Sequence, residues 1–285
     1  MLAKMLNSLK DMQKWAALAY LCLGIALPMN SLAAGKTKAK AESPEWSGSF
    51  TNLNYTNTIQ NNYEDVHASG SYVLGLKRTL PSINSTIGIS GGYILEYTHK
   101  SEDSGRNGDW TEPLLSYRYK FGDRGVFKKV ILGMDAVAPL SRSARSRSMI
   151  AAIGPIVGWG FDFGQLSLTQ RLGYMYAAFT YDTSLDSKMN TPNTVYLSNN
   201  LELKISKALS AGIAFAFVSA SDYEGIVSTS TATAGSIGWM IAKNFSTSLG
   251  VATTAGTLTP MGNYHRVNLY DVNKANAFLE LTLTF

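Results

Sequence analysis

The sequence predicts an all-β fold, an antiparallel up-and-down β-barrel of about twelve strands that crosses a membrane. Three observations lead to this prediction. Apolar residues recur at every second position through most of the chain, and the connections between these segments alternate between short and long. After residue 34, no apolar run is long enough for a membrane-spanning helix.

Residues 1–34 have the pattern of a secretory signal peptide. Three lysines precede an apolar run over residues 15–27, which is shorter than the about 20 residues that a membrane-spanning helix needs. Small residues up to Ala34 suit a signal peptidase, so we expect export and cleavage there, with a short uncleaved anchor as the alternative. Cys22, the only cysteine, follows a leucine rather than the small residue that a lipoprotein requires. The exported chain would therefore have no disulfide scaffold.

Residues 35–45, GKTKAKAESPE, are small and charged and include a proline. They have nothing to bury, so we expect a flexible periplasmic tail. The barrel is then expected over residues 46–285. A net charge of +5 is too small to indicate a nucleic-acid partner.

Each predicted strand has one apolar face and one face that is polar or small. In the segment AFLELTLTF, Leu279, Leu281 and Leu283 share one face, while Phe278 and Glu280 share the other. The other predicted strands lie at about residues 50–57, 68–76, 87–97, 113–121, 130–140, 153–163, 166–176, 195–205, 211–217, 235–241 and 247–251.

The connections between these strands alternate in length. The short ones are expected at residues 78–84, 122–129, 162–165, 206–210 and 242–244, and the long polar ones at 58–65, 99–109, 141–149, 181–193, 221–230 and 256–266. This order is typical of an up-and-down barrel whose two ends differ in loop length. A soluble β-sandwich has no reason to keep it.

With these features the chain resembles the bacterial outer-membrane β-barrels. In that superfamily the final strand ends in an aromatic residue, usually phenylalanine, which the insertion machinery reads; Phe285, preceded by Leu283 and Leu281, matches it. The resemblance implies a location in the bacterial outer membrane and contact with its lipid and lipopolysaccharide. It also implies assembly by the barrel insertion machinery, with Phe285 as the insertion signal.

Lipid offers no hydrogen-bond partner, so we expect a closed ring with its apolar faces outward. Aromatic residues near the strand ends are expected to form two girdles at the membrane interfaces, with ordinary core packing as the alternative. The girdle near the short turns would contain Tyr119, Phe121, Phe161, Phe163, Phe245 and Phe285, and the girdle near the long loops Tyr55, Tyr97, Tyr174, Tyr176 and Phe217.

The inner face is expected to carry charges of both signs. The predicted lumen-lining residues are Glu96, Glu112, Arg118, Asp135, Arg171, Glu202 and Glu280, with lysines nearer the short-turn end. Two interpretations stay open, a constriction that orients a solute or a network of ion pairs that plugs the barrel. Many other inward positions are glycine, alanine or serine, which either leave room or allow sheet curvature and close approach.

One long loop contains Arg142, Arg145 and Arg147 among serines. Guanidinium groups pair well with phosphate, so these residues are candidates for contact with lipopolysaccharide phosphate or for attracting anionic solutes. The alternative is a solvated polar loop.

An enzymatic site would have to use the histidines, His67, His99 and His265, which lie beside long loops. Acidic residues lie close in sequence to two of them, which permits an acid/base pair or a loose metal site on the barrel rim. No lipase motif, closely spaced histidine pair or nucleophile elbow accompanies them, so surface histidines are favoured. We predict no catalytic residue, no metal ligand and no cofactor.

The function that the sequence predicts is a narrow channel for the passive diffusion of small polar solutes. The alternatives are a rim enzyme, such as a protease, phospholipase or lipid A hydrolase, and a plugged structural or adhesive barrel. An oligomer is possible, although no outward stripe of residues differs enough from the others to indicate an interface.

Overall fold

The computed structural model describes residues 46–56, 68–97, 108–185, 187–256 and 275–285. The predicted signal peptide and periplasmic tail lie outside these residues. The described part of the chain is mostly β-strand, with one short helix, α1 (Arg142–Ser146), and a single 3-10 turn (Pro81–Ile83). No helix in the described ranges is long and apolar enough to span a membrane.

The strands cover most of the described chain, as the alternation predicted. Several extend beyond the predicted segments, since polar residues near the loops also keep the extended conformation. In chain order they are β1 (Trp46–Thr56), β2 (Ala68–Leu80), β3 (Ser85–Glu96), β4 (Gly108–Trp110), β5 (Leu114–Arg124), β6 (Phe127–Val137), β7 (Met149–Phe163), β8 (Leu166–Phe179), β9 (Asn193–Lys204), β10 (Leu209–Ser221), β11 (Val227–Ala242), β12 (Phe245–Gly256) and β13 (Asn276–Thr284).

The strands form one closed antiparallel ring. Strands that follow one another pair with each other, and β13 pairs with β1 to close the ring. The short β4 and the longer β5 both pair with β3, at different heights along it. Together they occupy one strand position in the ring, so the barrel has 12 strands. Pro113, which has no N–H to donate, lies in the break between them. The predicted fold class is confirmed.

The short turns lie at one end of the barrel, which we call the turn end; the opposite end is the loop end. Two turns use a glycine where the backbone needs a positive φ, Gly125 at 61° and Gly164 at 72°. Two-residue hairpin turns favour such angles because they match the twist of the strands. These turns keep the connections short and hold neighbouring strands in register.

The outer surface of the ring is apolar, and buried polar side chains lie inside it. Leu249 is 64% exposed and Ile237 60%, whereas Asp135 is 3% exposed and Ser198 4%. This distribution reverses the pattern of a water-soluble protein and follows the predicted alternation. An apolar outer belt on a closed ring is the arrangement that a lipid bilayer demands.

The aromatic side chains follow the two predicted girdles, with one correction. At the turn end the rings of Phe127 and Phe161 are 5.4 Å apart, and Phe163 is exposed. At the loop end Tyr97, Tyr174 and Tyr176 are exposed. The prediction was wrong for Tyr55, which pairs in register with Phe278 and lies 6.2 Å from its ring, on the inner face.

The outward face of β1 interrupts the apolar belt. Asn52 and Asn54 pair in register with outward-facing residues of β13, and the amide of Asn54 donates to Oδ1 of Asn52 over 2.6 Å. The hydroxyl of Tyr97 donates to Asn54 Oδ1, and it shares a further hydrogen bond with Tyr72. The sequence indicated no outward stripe that differs from the others, and in the structure β1 is such a stripe.

Phe285 closes the ring at the turn end. Its backbone N–H donates to the carbonyl oxygen of Gly48 over 3.0 Å, and its own carbonyl oxygen accepts from Gly48 N–H over 2.6 Å. The phenyl ring lies across Gly48, where an added Cβ would be 2.2 Å from a ring carbon. Phe285 therefore extends the pairing of β1 with β13.

Candidate functional site

The lumen is the candidate site, and an ion pair lies on its inner wall. Arg118 on β5 and Asp135 on β6 approach to 2.6 Å between Nη2 and Oδ1. The other terminal nitrogen, Nη1, donates to the carbonyl oxygens of Tyr117 and Met134 over 2.9 and 3.0 Å. The guanidinium is therefore held by a carboxylate and by the backbone at the same time, which determines its direction.

Arg171 on β8 extends this group. It lies close enough to Arg118 and Asp135 for electrostatic interaction, and also to the hydroxyl of Tyr196 on β9. The structure therefore brings together three of the predicted lumen residues, Arg118, Asp135 and Arg171. Tyr196 was not predicted, although its position between the outward Val195 and Leu197 places it on the inner face.

Two lysines belong to the same wall and are exposed to solvent. Lys77 on β2 interacts electrostatically with Arg118, Lys120 and Arg171, so its side chain lies inside the ring. Lys120 pairs in register with the inward Ile131. Both lysines are nevertheless exposed. An ammonium group needs water or a counter-ion, so this part of the lumen is open to solvent.

Glu202 and Glu280 lie on the opposite side of the ring and share one pocket. The space of about 40 Å³ opens to solvent, and it is lined by small polar residues that include Ser210, Ser236 and Ser248. Oε1 of Glu280 accepts a hydrogen bond from the hydroxyl of Thr282 over 3.1 Å. This wall has room for a few water molecules beside the two carboxylates.

The remaining predicted lumen residues, Glu96 and Glu112, lie at the loop end. Glu96 is exposed at the end of β3. Glu112 lies in the break between β4 and β5 and accepts a hydrogen bond from the hydroxyl of Ser141. Ser141 caps α1, since its Oγ also accepts from the N–H of Ala144. Glu112 therefore connects the loop that contains α1 to the barrel wall.

The three loop arginines have different environments. Arg142 and Arg145 are exposed on α1. Arg147 is half-buried; its guanidinium lies 5.0 Å from the ring centroid of Phe179 and donates to the hydroxyl of Thr191 over 3.3 Å. The first two remain candidates for phosphate contact, whereas Arg147 connects its loop to the neighbouring one.

Asn190 joins these two loops. Its amide nitrogen donates to the carbonyl oxygens of Arg147 and Tyr181 over 2.9 and 2.8 Å, and the residue is 1% exposed. No sequence motif indicated this role, because an asparagine in a polar loop is ordinarily solvated. The loop end consequently carries a packed structure in place of two independent loops.

We expect Asn190→Ala to loosen the loop end and leave the barrel folded. The change removes two hydrogen bonds that a buried amide donates to backbone carbonyls, which costs about 1–3 kcal/mol locally. Limited trypsin digestion of the refolded protein is the measurement, and cleavage after the arginines of residues 142–147 should become faster. Asn244→Ala, an exposed position in a tight turn, is the control and should digest like the parent.

His67, His99 and His265 lie outside the described residues, and so do the acidic residues that were considered beside them, Glu64, Asp65, Glu102 and Asp103. Within the described ranges, no group of three histidine, cysteine, aspartate or glutamate side chains is close enough to hold a metal ion.

Several solved structures share this architecture, while no family model and no curated protein matches the chain. An outer-membrane channel from Pseudomonas putida F1 is 10% identical, with a TM-score of 0.58 over 91% of this chain and 100% of that one. The NanC porin is 11% identical, with a TM-score of 0.51 over 84% of this chain and 98% of that one. The KdgM porin is 8% identical, with a TM-score of 0.50 over 83% and 99% of the two chains. The chain has the fold of these outer-membrane porins and channels.

Proposed function

We propose that this protein is an outer-membrane channel through which small polar solutes diffuse passively. The observation that carries the proposal is the solvent exposure of the inward-facing Lys77 and Lys120, inside a ring whose outer surface is apolar. Charged groups on the inner wall of a barrel in lipid need water around them. Diffusion requires water through the whole lumen, and the exposure of the two lysines supports this for the part near the turn end.

The size of the ring favours small solutes. Barrels of 12 strands lie between small barrels that side chains fill and larger porins with wide aqueous channels. Here the inner wall combines charged groups, serines and glycines with large apolar side chains such as Ile156 and Phe278. The KdgM porin, which shares the fold, forms a complex with disordered oligogalacturonate, so a barrel of this kind accommodates polar, sugar-based molecules.

The channel proposal predicts that a large side chain inside the ring reduces conductance. Gly212 lies on the serine-lined wall, and its nearest neighbours to an added Cβ are 3.6 and 3.7 Å away, so Gly212→Trp fits and projects into the lumen. We expect single-channel conductance in planar bilayers to fall to roughly half or less, because the narrowest section of a pore sets its resistance. Swelling of liposomes in sugars, amino acids and nucleosides should slow in parallel.

The matched control is Gly235→Trp. Gly235 lies in the outward stripe of β11 with nothing within 4 Å of an added Cβ, so the same side chain would enter lipid. Its conductance should equal that of the parent. A parent protein that conducts nothing and swells no liposome overturns the channel proposal.

A plugged structural barrel is the second candidate, and the loop contacts of Glu112 and Asn190 favour it. Zero conductance in the parent with measurable conductance in Asn190→Ala would support this candidate.

The proposed channel has no catalytic role. Hydrolysis of casein or phospholipid by the refolded protein would instead support the rim enzyme.

A further inference from the structure

Four positive charges of the lumen lie on one half of the ring, between β2 and β8. Lys77, Arg118, Lys120 and Arg171 lie on β2, β5 and β8, and they are close enough to interact electrostatically. We call these residues the cationic wall. Asp135 is the carboxylate that lies among them, whereas Asp162 on β7 is exposed near the turn end. The four cations therefore exceed the carboxylate charge at this wall, which produces a positive potential there.

Glycines of neighbouring strands determine where these side chains lie. A Cβ added to Gly133 would be 2.7 Å from Cδ of Arg118, and one added to Gly158 would be 3.4 Å from Cγ of Arg171. Similarly, a Cβ on Gly88 would be 3.3 Å from Cγ of Lys77. The long side chains therefore lie along the wall, over positions that have no side chain of their own. This arrangement positions the cations along the wall before a solute enters.

The facing wall is different in chemistry. Strands β9 to β13 present serines and glycines around the pocket that contains Glu202 and Glu280. The serine hydroxyls both donate and accept hydrogen bonds. Lys204 on β9 pairs in register with the inward Ser210 and adds one cation to this wall, where Glu202 and Glu280 are the two carboxylates. Negative charge therefore exceeds positive charge on this wall and positive exceeds negative on the cationic wall, so the electric field in the lumen points across the passage.

We propose that the lumen prefers small hydroxylated anions, such as hydroxy-carboxylates, and passes them with the carboxylate along the cationic wall and the hydroxyls toward the serine wall. The inference rests on the proposed channel function. Arginine and lysine bind carboxylate oxygens, and low-dielectric walls strengthen the field inside a narrow water-filled passage. The transverse separation of charge orients a solute that carries an anionic group at one end and hydroxyls along its length.

The test measures ion selectivity in planar bilayers. With a potassium chloride gradient, the reversal potential of the parent should indicate a preference for chloride, and replacement of chloride by gluconate should preserve a measurable anion current. In Lys77→Gln with Lys120→Gln, the ratio of chloride to potassium permeability should fall by about two- to fivefold, as expected for charges several ångströms from the ion path. In Glu202→Gln with Glu280→Gln, the ratio should rise.

Arg78→Gln is the matched control. Arg78 neighbours Lys77 in sequence but faces outward, 5.4 Å from the ring of Trp46, so its loss should leave the ratio unchanged. A parent that conducts with a preference for potassium, or a ratio that the lysine changes do not alter, overturns the anion preference and leaves the channel proposal standing. A parent without any current overturns the channel proposal, and this inference with it.

Discussion

Deletion of Phe285 is expected to abolish assembly of the barrel in the outer membrane. Two independent reasons lead to this expectation. The resemblance to outer-membrane barrels implies that Phe285 is an insertion signal, and the structure shows the same residue paired with Gly48 by two backbone hydrogen bonds. The deletion would therefore remove both the expected signal and a contact that closes the ring between β1 and β13.

The two roles of Phe285 can be separated by folding the protein without cellular machinery. Refolding into detergent should still succeed for the deletion variant, with a loss of about 2–3 kcal/mol from the missing hydrogen bonds and ring contact. A folded barrel migrates differently on a gel before and after heating, so this comparison distinguishes folded from unfolded protein both in the membrane and in detergent. Thr284→Ala, an exposed neighbour, serves as the control and should assemble normally. Normal membrane assembly of the deletion variant would show that the insertion prediction is wrong.

Asp135→Ala is expected to destabilise the folded barrel by about 3 kcal/mol, because breaking a buried ion pair by removing one partner leaves the other charge uncompensated. Asp135 is almost fully buried, and the guanidinium of Arg118 stays fixed by the carbonyls of Tyr117 and Met134. It cannot turn away to water without losing those hydrogen bonds. Urea unfolding in lipid vesicles, followed by tryptophan fluorescence, measures the change.

Two further variants make this prediction specific. Arg118→Met combined with Asp135→Leu should recover most of the lost stability, since an apolar pair leaves no unpaired charge. Asp123→Ala removes a carboxylate that lies 3.1 Å from Lys128 at the exposed turn end, where salt bridges contribute little, and should unfold like the parent. An Asp135→Ala barrel as stable as the Asp123→Ala barrel would contradict the buried-pair argument.

The sequence predicted which residues face inward wherever the alternation is clear. A two-residue period assigns every side chain of a strand to one face, which is why the sequence predicted that Arg118, Asp135 and Glu202 face inward. β1 was the exception. Its outward residues include Asn52 and Asn54, so the apolar pattern is weak there, and Tyr55 was assigned to the wrong face.

The contacts between particular charged side chains could not be predicted in the same way. Which residues lie side by side depends on the register between strands, and bulges change that register, as between Lys120 and Gly122 where β5 pairs with β6. Lys77 and Arg171 are far apart in sequence and belong to strands that do not pair, so no local pattern relates them. The role of the inward glycines could not be predicted for the same reason. Each glycine leaves space for a long side chain of a neighbouring strand, and the register decides which side chain that is.

The sequence by itself determined the closed barrel, the number of strands and the direction of most side chains, because a chain in lipid must pair every strand edge and turn its apolar faces outward. Only the tertiary structure decided that Arg118 pairs with Asp135, that four cations share one wall, and that Asn190 joins two loops. The physical reason is that the face on which a side chain lies depends on the two-residue period within one strand. Which side chains contact each other depends on the register between strands and on the closure of the whole ring.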